Sequence, residues 1–484
     1  MIPYPGREKR NEVRAMDIYL WGIAAYSVLI ILVSAIAAKK AKSFTDYVVA
    51  GRSMPLWVLI GTLWASWLGA GTISGNAALY YSFGIGGLWF AFAGPAAHSI
   101  LIALSKRLRA LGQYTVPDIL EIRYSPIARY IGAIPAILGF TAITGYQMKA
   151  IGYVIEVISG IPSWQGFLYG AIIVVGYTLA GGIWAVAYTD VVQLIFMELG
   201  LIIGAVMAVS SVGGISAFQA KLPPAHFNLL GYFDIFKALG YFFPLFFLAS
   251  IDQNLYQRMY ASKDAKTARY GAMALFFGAF FTFLLVMTVS MASYAANPKI
   301  KPDMAVFWAG KNLLPPWAGV ILLVGALGLI MSTADSYLLS PATNISRDYI
   351  QRLWPKVTDK QLIWITRAFV LILGTIAYVL AGYFESVLAM VIVAYTIYGA
   401  ALWPPVISAF FWKRANAPGA IAGILGGFAG TIIGYWLQIS GVPWAKATPL
   451  IYMGIIPAIV AMVVVTLATK PPPPEKLEPF ASKG

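Results

Sequence analysis

The chain has 484 residues, of which 60% are hydrophobic and only 11% charged. A soluble domain carries roughly 25% charged residues, so this is a polytopic membrane protein. The lack of cysteine excludes disulfides, thiolate metal sites and thiol catalysis; two histidines, His98 and His226, are too few for a histidine metal centre, and the net charge of +15 fits basic cytoplasmic loops rather than a nucleic-acid surface.

A membrane-spanning helix needs about 20 mostly apolar residues. Thirteen segments qualify: 16–37, 54–80, 85–105, 126–158, 164–181, 187–210, 231–257, 267–294, 313–346, 362–382, 385–411, 418–438 and 447–469. Residues 1–15 are polar and basic, and the apolar segment behind them spans without a small-residue cleavage site, unlike a signal peptide. Twenty-three Lys and Arg fall in loops on one side of this arrangement, including Lys39, Arg107, Arg258, Arg352 and Lys476. Six fall on the other. Basic loops stay inside, which predicts an extracellular segment 1–15, a transmembrane domain over 16–469 and a cytoplasmic tail, 470–484. Arg7, Lys9, Arg10 and Arg14 run against this orientation. The run Pro471 to Pro474 predicts a flexible tail.

Residues 53–105 contain no charge. Within them the second span reads Trp64-Ala-Ser-Trp67-Leu-Gly69-Ala-Gly71-Thr-Ile-Ser-Gly75. Each glycine weakens a helix by about 1 kcal/mol relative to alanine. Two readings stand: close packing through small residues, or an unwound span whose bare carbonyls bind a cation. The fourth span carries Lys149 with Tyr146, Tyr153 and Glu156 on one face. That lysine is either paired structurally or a counter-charge for an anionic solute or for Asp190. The sixth span holds Asp190, near its start, and Glu198, deeper and without an assigned role.

The seventh span has a matching interruption, at Pro244 and then at Ile251-Asp-Gln-Asn254. Interrupted spans at corresponding places in two halves point to an inverted-repeat transporter. The ninth span is uncharged from Asn312 to Ala334, and after Asp335 no charge follows until Arg347. A lone carboxylate within a membrane is costly and normally faces a cation or proton site. Leu329, Ser332, Thr333 and Ser336 share a face by spacings of three and four, bordered by Asp335, so oxygens cluster there.

Three motifs, Leu179-Ala-Gly-Gly-Ile-Trp-Ala-Val-Ala-Tyr-Thr-Asp190-Val-Val-Gln193, Asp252-Gln-Asn-Leu-Tyr-Gln-Arg258 and Met331-Ser-Thr-Ala-Asp-Ser336, resemble the sodium:solute symporter family, and look most like its choline-transporter branch. The resemblance covers about residues 16–415. It implies an all-α fold of about 13 transmembrane helices, with a five-plus-five inverted-repeat core over about 54–210 and 231–411. The first and sixth core helices would be broken. It further implies a sodium site built from the carbonyls of Ala65 and Leu68 with Leu329, Ser332 and Thr333. A second cation or proton site would take Asp190, Ser332, Asp335 and Ser336, where relatives have Ser in place of Asp335. One or two Na+ ions are thus expected. Trp64, Trp67, Gly69, Gly71, Gln147, Lys149, Asp252 and Asn254 are candidates for solute contact, and Tyr80 and Tyr81 could add aromatic faces for a quaternary ammonium.

The expected function is sodium-coupled import of a small organic solute (amine, amino acid, sugar or monocarboxylate) across the plasma membrane by alternating access. The partners are that solute and the lipid bilayer, with no nucleic acid. Proton coupling on the same fold is the alternative. A channel would show a repeated filter loop or charge rings, and a sensor a further signalling module; neither signature is present in the sequence. No nucleophile–base pair points to an enzyme.

Overall fold

The computed structural model describes residues 5–40 and 42–480. All regular structure among them is helical apart from one parallel β-bridge between Met54 and Ser262. The membrane-crossing helices are α1 (Pro5–Ala38), α2 (Leu56–Trp67), α3 (Ala77–Phe83), α4 (Leu88–Leu111), α5 (Pro126–Ser159), α6 (Ser163–Ser211), α7 (Ile235–Ser250), α8 (Gln253–Ala261), α9 (Ala265–Ala296), α10 (Pro316–Asn344), α11 (Asp359–Tyr383), α12 (Val387–Phe411), α13 (Ala417–Ile439) and α14 (Leu450–Ala468). Helices α2 and α3 are halves of one crossing, as are α7 and α8. α6 is interrupted at Gly182, whose φ of 55° and ψ of −151° leave the helical region. A side chain there would collide with the backbone and ring of Tyr47, so the position needs glycine. Counted this way, thirteen crossings result, the two interrupted ones lying five apart, as the inverted-repeat core requires.

The interruptions have local causes. α2 ends where Leu68 turns to φ −93°, ψ 87°, just before Gly69 and Gly71, and the chain resumes as a π-helical turn over Gly71–Asn76. In the other half the expected break at Pro244 does not occur. α7 runs through that proline, which lacks only its own N–H donor. The expected interruption at Ile251-Asp-Gln-Asn254 does occur: the helix stops at Ile251 (φ −128°), and Asp252 caps α8 by accepting from the N–H groups of Asn254 and Leu255. The two broken crossings are tied together: Met54 N–H donates to Ala261 O at 2.9 Å, and Lys263 N–H to Met54 O at 3.1 Å.

α10 forms the centre. Every residue from Leu322 to Asn344 is buried, chiefly against α6 and α5. The outer helices α11, α13 and α14 present Leu371, Ile433, Trp436 and Val460 outward, as a lipid-facing surface should. Beneath the core, Arg129 pairs with Asp118, with Glu121 at 2.5 Å and with Asp348 at 3.3 Å. The tail departs from the expected flexibility. Two short turns, Pro474–Lys476 and Glu478–Phe480, fold back on the bundle. Phe480 is buried on Phe410 with ring centroids 5.3 Å apart, and Lys476 donates to Glu121 O at 3.1 Å. Residues 481–484 and 1–4 lie outside the described residues.

Candidate functional site

The gap after α2 lies against the middle of α10. Ser332 Oγ is 2.9 Å from Ala65 O and 2.9 Å from Leu329 O, and Thr333 Oγ1 is 3.1 Å from Leu329 O. A Cβ on Gly69 would come within 2.6 Å of Thr333 Oγ1 and 2.5 Å of Gln147 Nε2. Gly69 therefore lets the unwound backbone approach α10 and α5 more closely than any side chain permits. Gln147 holds the gap open as a bracket, its Oε1 accepting from Ala70 N–H at 2.7 Å. Thus Ala65, Leu329, Ser332 and Thr333, with Leu68 beside them in the gap, form a buried cluster of carbonyl and hydroxyl oxygens. Such a donor set suits a hard cation, which prefers oxygen.

One turn further along α10 the surroundings change. Arg258, fully buried on α8, sends Nε to Thr62 Oγ1 at 2.8 Å, Nη1 to Asn254 O at 3.2 Å, and Nη2 to Ser336 Oγ at 2.8 Å and Asp190 Oδ2 at 3.3 Å. Thr62 Oγ1 also donates to Asp190 Oδ2 at 2.5 Å. Ser336 Oγ lies 3.1 Å from Asp335 Oδ1. Asp190, Asp335 and Ser336 are therefore brought together, as the sequence anticipates, but around a guanidinium. The guanidinium of Arg258 thus faces Asp190 and Ser336 at the expected second site. Arg258 escaped attention because its partners are 68, 78 and 196 residues away in sequence. The loop count places Arg258 just beyond the seventh span, among the basic loop residues; the structure instead buries it within α8.

The solute candidates divide. Gly71 faces a pair of tyrosines: a Cβ there would lie 2.7 Å from Tyr395 OH and 3.4 Å from Tyr146 OH, and those hydroxyls are 2.9 Å apart. Phe90 stacks on Tyr395 at 6.1 Å, and Trp67 meets His98 edge-on at 5.0 Å. Gly69, Gly71, Gln147 and Trp67 thus belong to the surroundings of the gap, with Tyr146, Tyr395 and Phe90 added by the fold. The other six candidates make contacts of their own. Trp64 points away, its Nε1 on Thr282 Oγ1 at 3.1 Å and its ring over Gly278. Lys149 is directed to the end of α11, donating to Ala381 O at 3.1 Å and Phe384 O at 2.7 Å. Asp252 caps α8 and accepts from Tyr337 OH, and Asn254 accepts from Ser340 Oγ, so both serve the α8–α10 contact. Tyr81 closes an end loop, donating to Asn297 O at 2.8 Å and accepting from Ile300 N–H at 3.0 Å; Tyr80 packs by Gly87.

Residues 47–427 match the model of the sodium:solute symporter family. The chain is 27% identical over 471 residues to the osmoregulated proline transporter OpuE of Bacillus subtilis (strain 168), covering 93% of this chain and 94% of the relative. It is 27% identical over 470 residues to the high affinity choline transporter 1 of Mus musculus, covering 90% and 80%. Among solved structures, a substrate-bound, outward-open Na+-coupled sialic acid symporter aligns with a TM-score of 0.79 at 17% identity, over 94% of this chain and 98% of that one. MhsT in complex with L-phenylalanine aligns with a TM-score of 0.53 at 15% identity, over 85% and 98%.

Proposed function

The chain belongs to the sodium:solute symporter family, and from that premise we propose that it imports a small organic solute driven by Na+ bound between α2 and α10. The ion's ligands are the carbonyls of Ala65, Leu68 and Leu329 and the hydroxyls of Ser332 and Thr333. The observation that carries this reading is the approach of Ser332 Oγ to Ala65 O at 2.9 Å across two helices. An ion there holds a broken helix against an intact one; its departure frees the two to separate, which is what alternating access needs. The solute binds beside the gap, among Gly69, Gly71, Trp67, Gln147, Tyr146 and Tyr395. The membrane potential contributes about 2.3 kcal/mol per charge per 100 mV.

One free sodium ion is the reading that Arg258 favours, because its guanidinium already neutralises the Asp190 region. The N-terminus is outside and the tail cytoplasmic, as the loop charges indicate. Uptake by proteoliposomes, with proline and choline as first solutes, tests the function: accumulation requires an inward sodium gradient. Equal uptake with potassium replacing sodium on both sides would refute it. A thermal-shift screen in sodium against potassium identifies the solute, since a ligand that binds only the sodium-loaded form stabilises only there.

A further inference from the structure

We propose that Glu198 is a proton-binding site linked through Thr282 and Trp64 to the position of α2. Glu198 lies on α6 about two turns beyond Asp190, within the crossing Gly182–Ser211. Its Oε1 is 2.5 Å from Thr282 Oγ1 on α9, and Thr282 Oγ1 is in turn 3.1 Å from Gly278 O and 3.1 Å from Trp64 Nε1. Glu198 Oε2 is buried with no hydrogen-bond partner among the described residues.

The hydrogens can be counted. A threonine hydroxyl has one hydrogen to give and two lone pairs to accept with. Gly278 O can only accept and the Trp64 indole N–H can only donate. If Glu198 is ionised, Thr282 gives its one hydrogen to Oε1 and Gly278 O keeps the backbone N–H of its own helix, but Oε2 stays a buried, charged oxygen with no donor among the described residues. If Glu198 carries a proton, every contact is a bond: Glu198 donates to Thr282, Trp64 donates to Thr282, and Thr282 donates to Gly278 O.

The charges agree. α2 has no ionisable residue, and α9 has none from Gly271 to Ser293, its Lys266, Arg269, Tyr270 and Tyr294 standing towards its ends. α10 offers Asp335 and Tyr337, α1 offers Tyr19 and Tyr26 over its apolar part Ile18–Ala38, and the short helix Phe44–Val49 offers Asp46 and Tyr47, none of them cationic; Lys311, on the helix Ala305–Asn312, is held by the carbonyls of Val157 and Ile158. On α6 itself Asp190 is engaged by Arg258, and Tyr188 takes Lys40 at 2.6 Å. Lys149 on α5 is held by the carbonyls closing α11, and Arg367 on α11 lies over the rings of Tyr47 and Trp364. A carboxyl in an apolar crossing with no facing cation takes up a proton rather than remain charged.

Trp64 directly precedes Ala65, so the relay ends one residue from a proposed sodium ligand. A proton on Glu198 completes the bonds that dock α2, and docked α2 completes the sodium site. Sodium binding therefore weakens as pH rises, by at most tenfold per pH unit for one linked proton. The linkage rests on the sodium site proposed above; the proton does not.

Two measurements separate them. In sodium-free potassium buffer, infrared spectra of purified protein at neutral pH contain a protonated-carboxyl C=O band that Glu198→Gln removes. The sodium midpoint for thermal stabilisation, read from about pH 6 to about pH 9, weakens in the wild type and stays flat in Glu198→Gln. Thr282→Val, which removes the relay and leaves the acid, keeps a carboxyl band and also flattens the sodium dependence. A spectrum unchanged by Glu198→Gln overturns the proton site. The same pH slope in the wild type and both variants overturns the linkage. If sodium stabilises nothing at any pH, the sodium site has failed, and the infrared band still decides whether Glu198 holds a proton.

Discussion

Ser332 and Thr333 act through single oxygens, so their loss is readable. Removing one hydroxyl ligand from a buried cation costs about 1.5–3 kcal/mol, as for hydrogen bonds to charged groups. Ser332→Ala or Thr333→Ala should therefore raise the sodium concentration for half-maximal uptake by roughly tenfold or more. Uptake that keeps its wild-type sodium dependence in the double variant would place the ion elsewhere. Arg258 is a different case. Breaking a buried pair by removing one partner costs about 3–5 kcal/mol, because the other charge remains. Arg258→Gln should lower thermal stability sharply, and Asp190→Asn in the same chain should restore part of it; a double variant no better than the single would show that the two charges are not coupled. At this scale the sequence made the oxygens of α10 visible, since helical spacing alone aligns Leu329, Ser332, Thr333 and Ser336. It did not reveal what faces them from other helices. Lys149 reads as a cation within a span and Arg258 as one just past a span's end, and nothing local tells that the first closes a helix end while the second neutralises an acid.

Among the elements, the two broken crossings show which sequence signals are mechanical. Glycine at 69 and 71 marks a true gap, because each position touches a neighbour that a side chain would displace. Gly71→Ala places its methyl against Tyr395 OH at 2.7 Å. Uptake should fall strongly, and adding Tyr395→Phe, which removes that oxygen, should recover part of the loss. No recovery would mean the glycine is required for backbone freedom and not for space. Proline is the weaker signal. Pro244 sits inside an uninterrupted α7, and the real stop is set by Asp252, whose side chain captures the first N–H groups of α8. The polar run Ile251-Asp-Gln-Asn254 announces this stop, and the pattern of apolar residues does not reveal which of its side chains makes the cap.

At the level of the whole molecule, the thirteen crossings were legible because bilayer thickness imposes a length on each apolar run. Gly182 hides one boundary inside a continuous α6, yet the sequence divides there because the run is too long for one crossing. Orientation is testable with a chain that has no native cysteine. A membrane-impermeant maleimide applied to intact cells should label Lys299→Cys and leave Lys356→Cys untouched; the reverse pattern would invert the topology. The docked tail was not legible, since a proline run reads as mobile unless a terminal aromatic such as Phe480 finds a socket.

Lys149 bears on the charge of the proposed solute. Its ammonium sits on the last carbonyls of α11, the partially negative end of a helix, and so is withdrawn from the gap beside Gly69 and Gly71. The tyrosines, tryptophan and amide that remain there are formally neutral, and the charged group that acts on Tyr146 and Tyr395 is an acid, Asp252. Molecules with an overall negative charge would find no side-chain cation there, only the proposed sodium ion beside the gap. Competition assays should thus rank zwitterions and onium compounds above lactate or pyruvate, and inhibition by those acids as strong as that by proline or choline would contradict the ranking.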